Sequence, residues 1–242
     1  MRDPLHQSVR HEEARAPAMG VVGVLTVDDD DAFRGVVREV IGATPGFRVV
    51  GEAACGEDGV SMAAALRPDL VLMDVRMPGI DGIEATRRIV AAGLACRVLV
   101  LTTFQHDEYV WGALQAGASG FLLKRASPER LIDAVHTLAA GDALLDPAVT
   151  RDLVARFVAP AGRPAAAPQE PRLASLTSRE RQVLHLVAEG YTNADIAGLL
   201  SLAESTVKTH VKRILAKIDA RDRAQAVVVA YRGGLMYPDG GR

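Results

Sequence analysis

Five polar side chains that could share one chemistry follow short apolar runs in the first half of the chain. They are Asp28, Asp29, Asp74, Thr102 and Lys124. Each lies where a strand of an open parallel sheet would end, and such sheets bind ligands at the carboxyl ends of their strands. Three carboxylates at one edge repel one another unless a cation lies among them, and Mg²⁺ prefers oxygen ligands of this kind. The sequence therefore predicts a magnesium site at this edge.

The hydroxyl and the ammonium extend the predicted chemistry from metal binding to phosphoryl transfer. Thr102 and Lys124 could hold phosphoryl oxygens, while the metal and the lysine offset the charge that develops there. Asp74 is then placed as a nucleophile that forms an aspartyl phosphate. Taken singly, these residues could also be a solvated acid, a surface lysine or a strand-forming threonine. The combination of all of them in register favours phosphoryl transfer.

The elements that must position these side chains alternate along residues 21–146. Apolar runs cover 21–27, 48–54, 70–73, 98–101 and 121–123, and amphipathic segments lie near 32–43, 57–66, 82–92, 107–116 and 128–140. Five β-α units of this kind predict an α/β domain with a parallel sheet and helices on both faces.

The segments on either side of this domain have a different character. Residues 1–20 show no periodicity and no apolar centre, so we expect a disordered extension and no secretory signal peptide. Translation from Met19 instead of Met1 is left open. Residues 147–172 are expected to form a linker, with a helical stub at 147–157 followed by an extended segment rich in alanine and proline at 159–171.

Charge and composition narrow the class of protein. Residues 21–146 contain 11 Lys and Arg against 18 Asp and Glu, whereas residues 173–242 contain 10 against 7. This asymmetry suggests that one half handles cations and the other an anionic partner. No apolar run is long enough to span a membrane, and Cys55 and Cys96 match no metal-ligand spacing. We therefore expect a globular cytoplasmic protein with two reduced thiols.

The last seventy residues read as helices only. A capping box at residues 177–180 opens a helix that ends near Gly190, and Thr192 can cap a short helix at 193–200. A three-residue turn leads into a longer helix at 204–219, and a fourth helix covers 222–232. Short helices joined by a tight turn predict a helix-turn-helix domain over residues 173–242.

The helix at 204–219 has two chemically distinct faces. Its core face is predicted to contain Val207, Val211, Ile214, Leu215 and Ile218. The opposite face presents Lys208, Thr209 and Lys212 with Ser205 nearby, a set that suits the major groove of double-stranded DNA. Additional phosphate contacts are expected from Thr192, Asn193, Arg213 and Arg223. A solvated basic helix face is the alternative explanation.

The first half resembles the receiver domain of two-component response regulators. The segments that carry the resemblance are VLTVDDDDAFR, PDLVLMDVRMPGIDG, VLVLTTF and GASGFLLK. It implies a flavodoxin-like (βα)5 fold in which a sensor histidine kinase phosphorylates Asp74. Asp28, Asp29, Asp74 and the carbonyl of Arg76 would bind Mg²⁺, Thr102 and Lys124 would sense the phosphoryl group, and Phe121 would be the aromatic switch. Plain core packing is an equal explanation for Phe121.

Two bulky residues occupy positions that in this family influence how fast the phosphate is lost. They are Arg76, two residues after the acceptor, and Phe104, two residues after Thr102. Because both could shield the acyl phosphate from water, we hypothesise a long-lived phosphorylated state.

The segment LTSRERQVLHLVAEGYTNADIAGLLSLAESTVKTHVKRILAKIDARDRAQAVVVAYR resembles the DNA-binding domain of the LuxR/FixJ/NarL type. The resemblance implies that residues 204–215 belong to the recognition helix, that the helix at 224–231 mediates dimerisation, and that RNA polymerase is a further partner. In this family the unphosphorylated receiver often masks the recognition helix. Core burial within the monomer is a competing explanation for part of the last helix.

The residues also bear on three alternatives to a phosphorylation-controlled transcription regulator. A haloacid-dehalogenase-like enzyme would need an acid where Arg76 stands, and a quorum-sensing LuxR protein would not carry the acidic set. We therefore expect no enzyme. A LuxR-type regulator that works without phosphorylation remains the main competitor.

Overall fold

The structure is a computed structural model, and it describes residues 21–103, 107–140 and 171–236 of the 242-residue chain. Its first half contains a five-stranded sheet in the order β2-β1-β3-β4-β5, with every strand pair parallel. The strands are β1 (Val22–Val27), β2 (Phe47–Ala53), β3 (Leu70–Asp74), β4 (Arg97–Thr102) and β5 (Gly120–Leu123). The predicted α/β sheet is therefore confirmed.

Helices cover both faces of this sheet, which explains why its strands read as continuous apolar runs. The helices are α1 (Asp31–Gly42), α2 (Gly56–Leu66), α3 (Gly82–Ala91), α4 (Asp107–Ala116) and α5 (Pro128–Ala139). Successive strand residues point to opposite faces. In β1, Leu25 packs in the core beneath α2, α3 and α4, while Val24 packs in the core beneath α1 and α5. The strand ends are thus held rigidly from both sides.

The second half is helical, as predicted. Its helices are α6 (Pro171–Ala174), α7 (Ser178–Ala188), α8 (Asn193–Leu200), α9 (Glu204–Lys217) and α10 (Arg223–Arg232). Capping boxes open α7 at Thr177 and α8 at Thr192. The turn into α9 begins at Ser201, whose φ of 53° lies in the left-handed region. One buried cluster joins these helices into a separate core. Helix α6 begins within the segment that the sequence assigned to the linker.

An ion pair between an exposed lysine and a buried glutamate ties α7 to the recognition-helix candidate α9. Lys217 Nζ lies 2.7 Å from Glu180 Oε2, and the backbone N–H of Thr177 donates to the same oxygen at 2.8 Å. These two donors lower the pKa of Glu180 from its ordinary value of 4.5 to about 2. Glu180 is only 4% exposed as a residue, so its carboxylate depends on both donors for its charge.

Both cysteines lie in the first half of the chain. Cys55 and Cys96 are free thiols, and burial raises the pKa of Cys96. Among the described residues, no helix has the length and apolar character needed to cross a membrane. The expected N-terminal extension at 1–20, the helical stub at 147–157 and the linker segment at 159–170 lie outside the described residues.

Candidate functional site

The predicted acidic site forms at the carboxyl edge of the sheet. Carboxylate oxygens of Asp28, Asp29 and Asp74 all lie within 4.8 Å of one another. Asp28 and Asp74 are buried, whereas Asp29 is exposed. Lys124 reaches in from the end of β5, with Nζ 2.7 Å from Asp28 Oδ2 and 3.0 Å from Asp74 Oδ2. The structure therefore brings together the three acids and the lysine that the sequence singled out.

The electrostatics of this pocket are unbalanced toward negative charge. Burial raises the pKa of Asp74, the neighbouring carboxylate of Asp28 raises it further, and Lys124 acts against both. Burial works to lower the pKa of Lys124, but its bonds to Asp28 and Asp74 outweigh burial and raise it. One ammonium does not neutralise three carboxylates, and all the donor atoms are oxygens. This donor set fits a hard divalent cation such as Mg²⁺.

The other predicted residues of the pocket lie at the ends of neighbouring strands. Thr102 is buried at the end of β4, and its carbonyl oxygen accepts from the backbone N–H of Lys124 at 2.8 Å. Phe121 lies half-buried in β5, packed against the core beneath α4. Arg76 follows Asp74 on an exposed stretch. Phe104 lies outside the described residues. Its expected shielding of the acyl phosphate from water therefore stays a prediction.

The nucleophile candidate is held by its own backbone surroundings. The Oδ1 atom of Asp74 accepts from the backbone N–H of Val75 at 2.8 Å, so its Oδ2 atom is the one that faces Lys124. Gly82, at the start of α3, packs directly against the carbonyl group of Asp74. An alanine Cβ at this position would overlap the carbonyl oxygen and lie 2.8 Å from the carbonyl carbon. Only glycine permits α3 to approach the acceptor this closely.

Sequence reasoning missed two residues that support the pocket. Arg34 donates from Nη1 to the carbonyl oxygen of Asp28 at 2.6 Å and from Nη2 to Asp31 Oδ1 at 2.8 Å. The ring of Phe33 lies 4.9 Å from Lys124 Nζ, within range of a cation–π interaction. Both lie in the first turn of α1, directly after the acidic run. Their position in the sequence could have indicated this role, because the first turn of a helix that begins at Asp31 lies next to the loop that carries Asp28 and Asp29.

The candidate DNA-reading face of α9 is open to solvent. Its four predicted residues are exposed, namely Ser205, Lys208, Thr209 and Lys212, and so is Arg213, the predicted phosphate contact on the same helix. The opposite face is core, with Val207, Ile214 and Ile218 buried and two further residues half-buried, Val211 and Leu215. The predicted division of this helix into two faces is found in full.

Two internal bonds orient the exposed face of α9. Lys208 Nζ lies 3.0 Å from Glu204 Oε1 one turn earlier, and the Thr209 hydroxyl donates to the Ser205 carbonyl at 2.9 Å. The expectation that the receiver masks this helix is wrong for the described residues. The described contacts of the first half with the second involve α10 and Arg221, which lies just before it.

The three predicted phosphate-contacting residues around α8 have partners inside the chain. The Thr192 hydroxyl lies 2.6 Å from Asp195 Oδ2 as part of the capping box. Asn193 Oδ1 accepts from Arg223 Nη1 at 3.1 Å, and Arg223 also donates to the carbonyl of Tyr191. Arg223 thus joins α10 to the start of α8. A phosphate at this helix N-terminus would have to share these donors.

Comparison with known proteins matches both halves of the chain. Residues 24–136 match the response regulator receiver domain family, and residues 174–230 match the luxR family of bacterial regulatory proteins. The chain is 40% identical to the nitrate/nitrite response regulator protein NarL of Escherichia coli K12 over 205 residues, which is 85% of this chain and 93% of that protein. It is 38% identical to the transcriptional regulatory protein LiaR of Bacillus subtilis over 216 residues, 89% of this chain and 100% of that one.

Among solved structures, a LuxR-family two-component response regulator from Aurantimonas sp. SI85-9A1 is similar to this chain. It is 33% identical with a TM-score of 0.53, and the match covers 57% of this chain and 99% of that one.

Proposed function

Because this chain belongs to the two-component response regulators that join a receiver domain to a LuxR-type DNA-binding domain, we propose that phosphorylation of Asp74 by a sensor histidine kinase promotes dimerisation and sequence-specific promoter binding. The chain is a DNA-binding transcriptional regulator and not an enzyme. The observation that carries the proposal is the convergence of three carboxylates and Lys124 at one sheet edge.

The proposed phosphoryl transfer uses the groups that meet at this edge. Asp74 Oδ2 attacks the phosphorus atom as the bond from phosphorus to the donor breaks, leaving an aspartyl phosphate. Lys124 then exchanges its ion pair with Asp74 for phosphoryl oxygens, and the Thr102 hydroxyl turns to donate to them. Mg²⁺, when bound, offsets the negative charge of the carboxylates and the phosphoryl group. Asp28, Asp29, Asp74 and the Arg76 carbonyl would hold it.

Proposed DNA binding uses the exposed face of α9. Lys208, Thr209 and Lys212, with Ser205 beside them, would enter the major groove. The phosphate backbone would be contacted by Thr192, Asn193, Arg213 and Arg223. RNA polymerase at the promoter is a further proposed partner, and the proposed location is the cytoplasm.

Phosphorylation of the purified protein tests the central step. The full chain is incubated with acetyl phosphate and Mg²⁺ and weighed intact. We expect a phosphate adduct in the wild-type protein and in Asp58→Ala, whose carboxylate is exposed on α2. Asp74→Ala should form none. An adduct that persists in Asp74→Ala would refute the acceptor assignment, and no adduct in any of the proteins would favour a regulator that works without phosphorylation.

Binding to promoter DNA tests the consequence of phosphorylation. Genomic fragments are selected with phosphorylated wild-type protein, and the affinity for a selected fragment is then compared with and without acetyl phosphate. We expect tighter binding by the phosphorylated protein and no such change in Asp74→Ala. Equal affinity in all four samples would refute the control of DNA binding by Asp74.

A further inference from the structure

A residue outside the acidic pocket supports the loop that follows the acceptor. This loop, residues 75–81, joins the end of β3 to the start of α3. The Oε1 atom of Glu57, in the first turn of α2, accepts from the backbone N–H of Ile80 at 3.0 Å. The side chain of Ile80 is half-buried and packs against the core beneath α2, α3 and α4. The bond therefore joins two different β-α units next to Asp74.

Two glycines allow α2 and this loop to approach each other closely. Gly79 has a φ of 80°, in the left-handed region, and a Cβ there would lie 2.6 Å from Glu57 Oε1 and 2.7 Å from Oε2. A Cβ at Gly56, the first residue of α2, would lie 2.6 Å from the carbonyl oxygen of Ile80. No side chain tolerates contacts this short. The carboxylate of Glu57 thus lies against the loop backbone in space that only glycine leaves open.

Helix α2 is a firm base for this contact. Glu57 lies in its first turn, where the partial positive charge of the helix start favours a carboxylate. One face of α2 packs tightly on β1, since a Cβ at Gly59 would lie 2.7 Å from Val27 Cγ1. Val27 is the last residue of β1 and directly precedes Asp28. The helix that carries Glu57 is therefore fixed to the strand that positions the first acids of the pocket.

The other end of the loop is fixed at the acceptor itself. The backbone N–H of Val75 donates to Asp74 Oδ1 at 2.8 Å and to the carbonyl oxygen of Leu101 at 3.2 Å. Arg76, whose carbonyl is one of the proposed Mg²⁺ ligands, lies between this anchor and the bond to Ile80. The position of that carbonyl therefore depends on both anchors.

We propose that Glu57 is a positioning residue for the magnesium and phosphoryl site, and that it acts by holding the loop that carries the Arg76 carbonyl. The proposal rests on the proposed function above, which makes that carbonyl a metal ligand. A ligand that is already held in place binds a cation with a smaller loss of chain entropy. Groups that orient a metal ligand typically change metal affinity by about 10–100-fold. Glu57 exerts this effect through the loop and not by contact with the metal.

Three variants separate the hydrogen bond from the charge. Glu57→Ala removes both the acceptor of the Ile80 N–H and one negative charge. Glu57→Gln removes the charge, but its amide oxygen can still accept from the same N–H. Asp58→Ala is the matched control, because it removes an exposed carboxylate from the same turn of α2.

Titration of the unphosphorylated full chain with Mg²⁺ in a calorimeter measures the effect. We expect Glu57→Ala to bind Mg²⁺ about tenfold more weakly than the wild-type protein. Glu57→Gln should keep most of the affinity, and Asp58→Ala should match wild type. Amide hydrogen exchange without metal provides a second measurement, in which the Ile80 amide should exchange faster in Glu57→Ala than in the other proteins. Thermal unfolding without Mg²⁺ verifies that each variant is folded at the temperature of the titration.

Two results would overturn the proposal. One is that folded Glu57→Ala binds Mg²⁺ as tightly as the wild-type protein. The other is that Glu57→Gln or Asp58→Ala loses as much affinity as Glu57→Ala, since the lost charge alone would then explain the effect.

A failure of the proposed function would look different. The titration needs no phosphoryl donor, so a wild-type protein that binds Mg²⁺ but forms no adduct would count against phosphorylation, while the titration would still decide the role of Glu57. A wild-type protein that binds no Mg²⁺ would overturn both the metal site and the role of Glu57.

Discussion

Replacing Gly82 with alanine should damage the acceptor site without touching any group that reacts. The new Cβ would overlap the Asp74 carbonyl oxygen and lie 2.8 Å from the carbonyl carbon, whereas ordinary contacts begin at 3.4 Å. The carbon contact alone requires a movement of about 0.6 Å, and the overlap with the oxygen requires more. Because the neighbouring atoms are backbone, either α3 or the end of β3 must move. We expect a loss of stability of about 1–3 kcal/mol.

The functional cost should be larger than the loss of stability suggests. A misplacement of roughly 1 Å at a reacting group can slow a reaction by about a hundredfold. We therefore expect phosphorylation of Gly82→Ala by acetyl phosphate, followed by intact mass, to be slower by one to two orders of magnitude at a temperature where the variant is folded.

A glycine with open surroundings provides the control for this experiment. Gly35 lies within α1 and has nothing within 4 Å of a built Cβ. Gly35→Ala should leave the phosphorylation rate unchanged and stabilise the protein by about 0.5–1 kcal/mol, as alanine does in helices. If Gly82→Ala were phosphorylated at the wild-type rate, the close approach of α3 would not be what holds the acceptor in place.

Three further changes have expected outcomes. Lys217→Met leaves the Glu180 carboxylate with one donor fewer, costing roughly 1–3 kcal/mol. In wild type the depressed pKa of Glu180 gives stability that is complete above about pH 4.5 and lost as pH falls toward about 2, so the stability of the variant should fall less steeply over this range in acid titrations of unfolding, and identical acid limbs would contradict this. Lys212→Ala should weaken DNA binding and reduce the salt slope by roughly 0.9 per protomer, and an unchanged slope would exclude a phosphate contact. Arg34→Met should lower Mg²⁺ affinity by about tenfold in calorimetry, while Arg38→Met, which loses only a surface pair with β2, should not.

Much of the receiver fold was predictable because each strand is buried on both faces. A strand buried on both faces appears in the sequence as a continuous apolar run, such as residues 70–73, which is easy to recognise. The acids that follow these runs mark the carboxyl ends of the strands. Asp28, Asp74 and Lys124 could therefore be placed at one edge from the sequence alone. Arg34 was not found, because its partner is the backbone carbonyl of Asp28, which leaves no trace in residue type.

The arrangement of the two domains was not predictable in the same way. The run of small and branched residues in α10 signals burial on nearly every face, but not which neighbour covers each face. The decisive contacts, such as Gln225 with the carbonyls of Leu114 and Ala118, join positions more than a hundred residues apart. Masking of the recognition helix was an expectation from resemblance alone, and these contacts replace it.

An exposed reading face on an unpaired protein has a consequence for how the regulator finds its target. Lys208 and Lys212 on α9 have exposed side chains. Nonspecific electrostatic binding lets a protein slide and hop along DNA, so the proposed contacts of α9 would let the unphosphorylated protein scan the chromosome. The proposed dimerisation would then add a second half-site to a protein that is already on the DNA. The signal would lengthen the residence time at the promoter and leave the search itself unchanged.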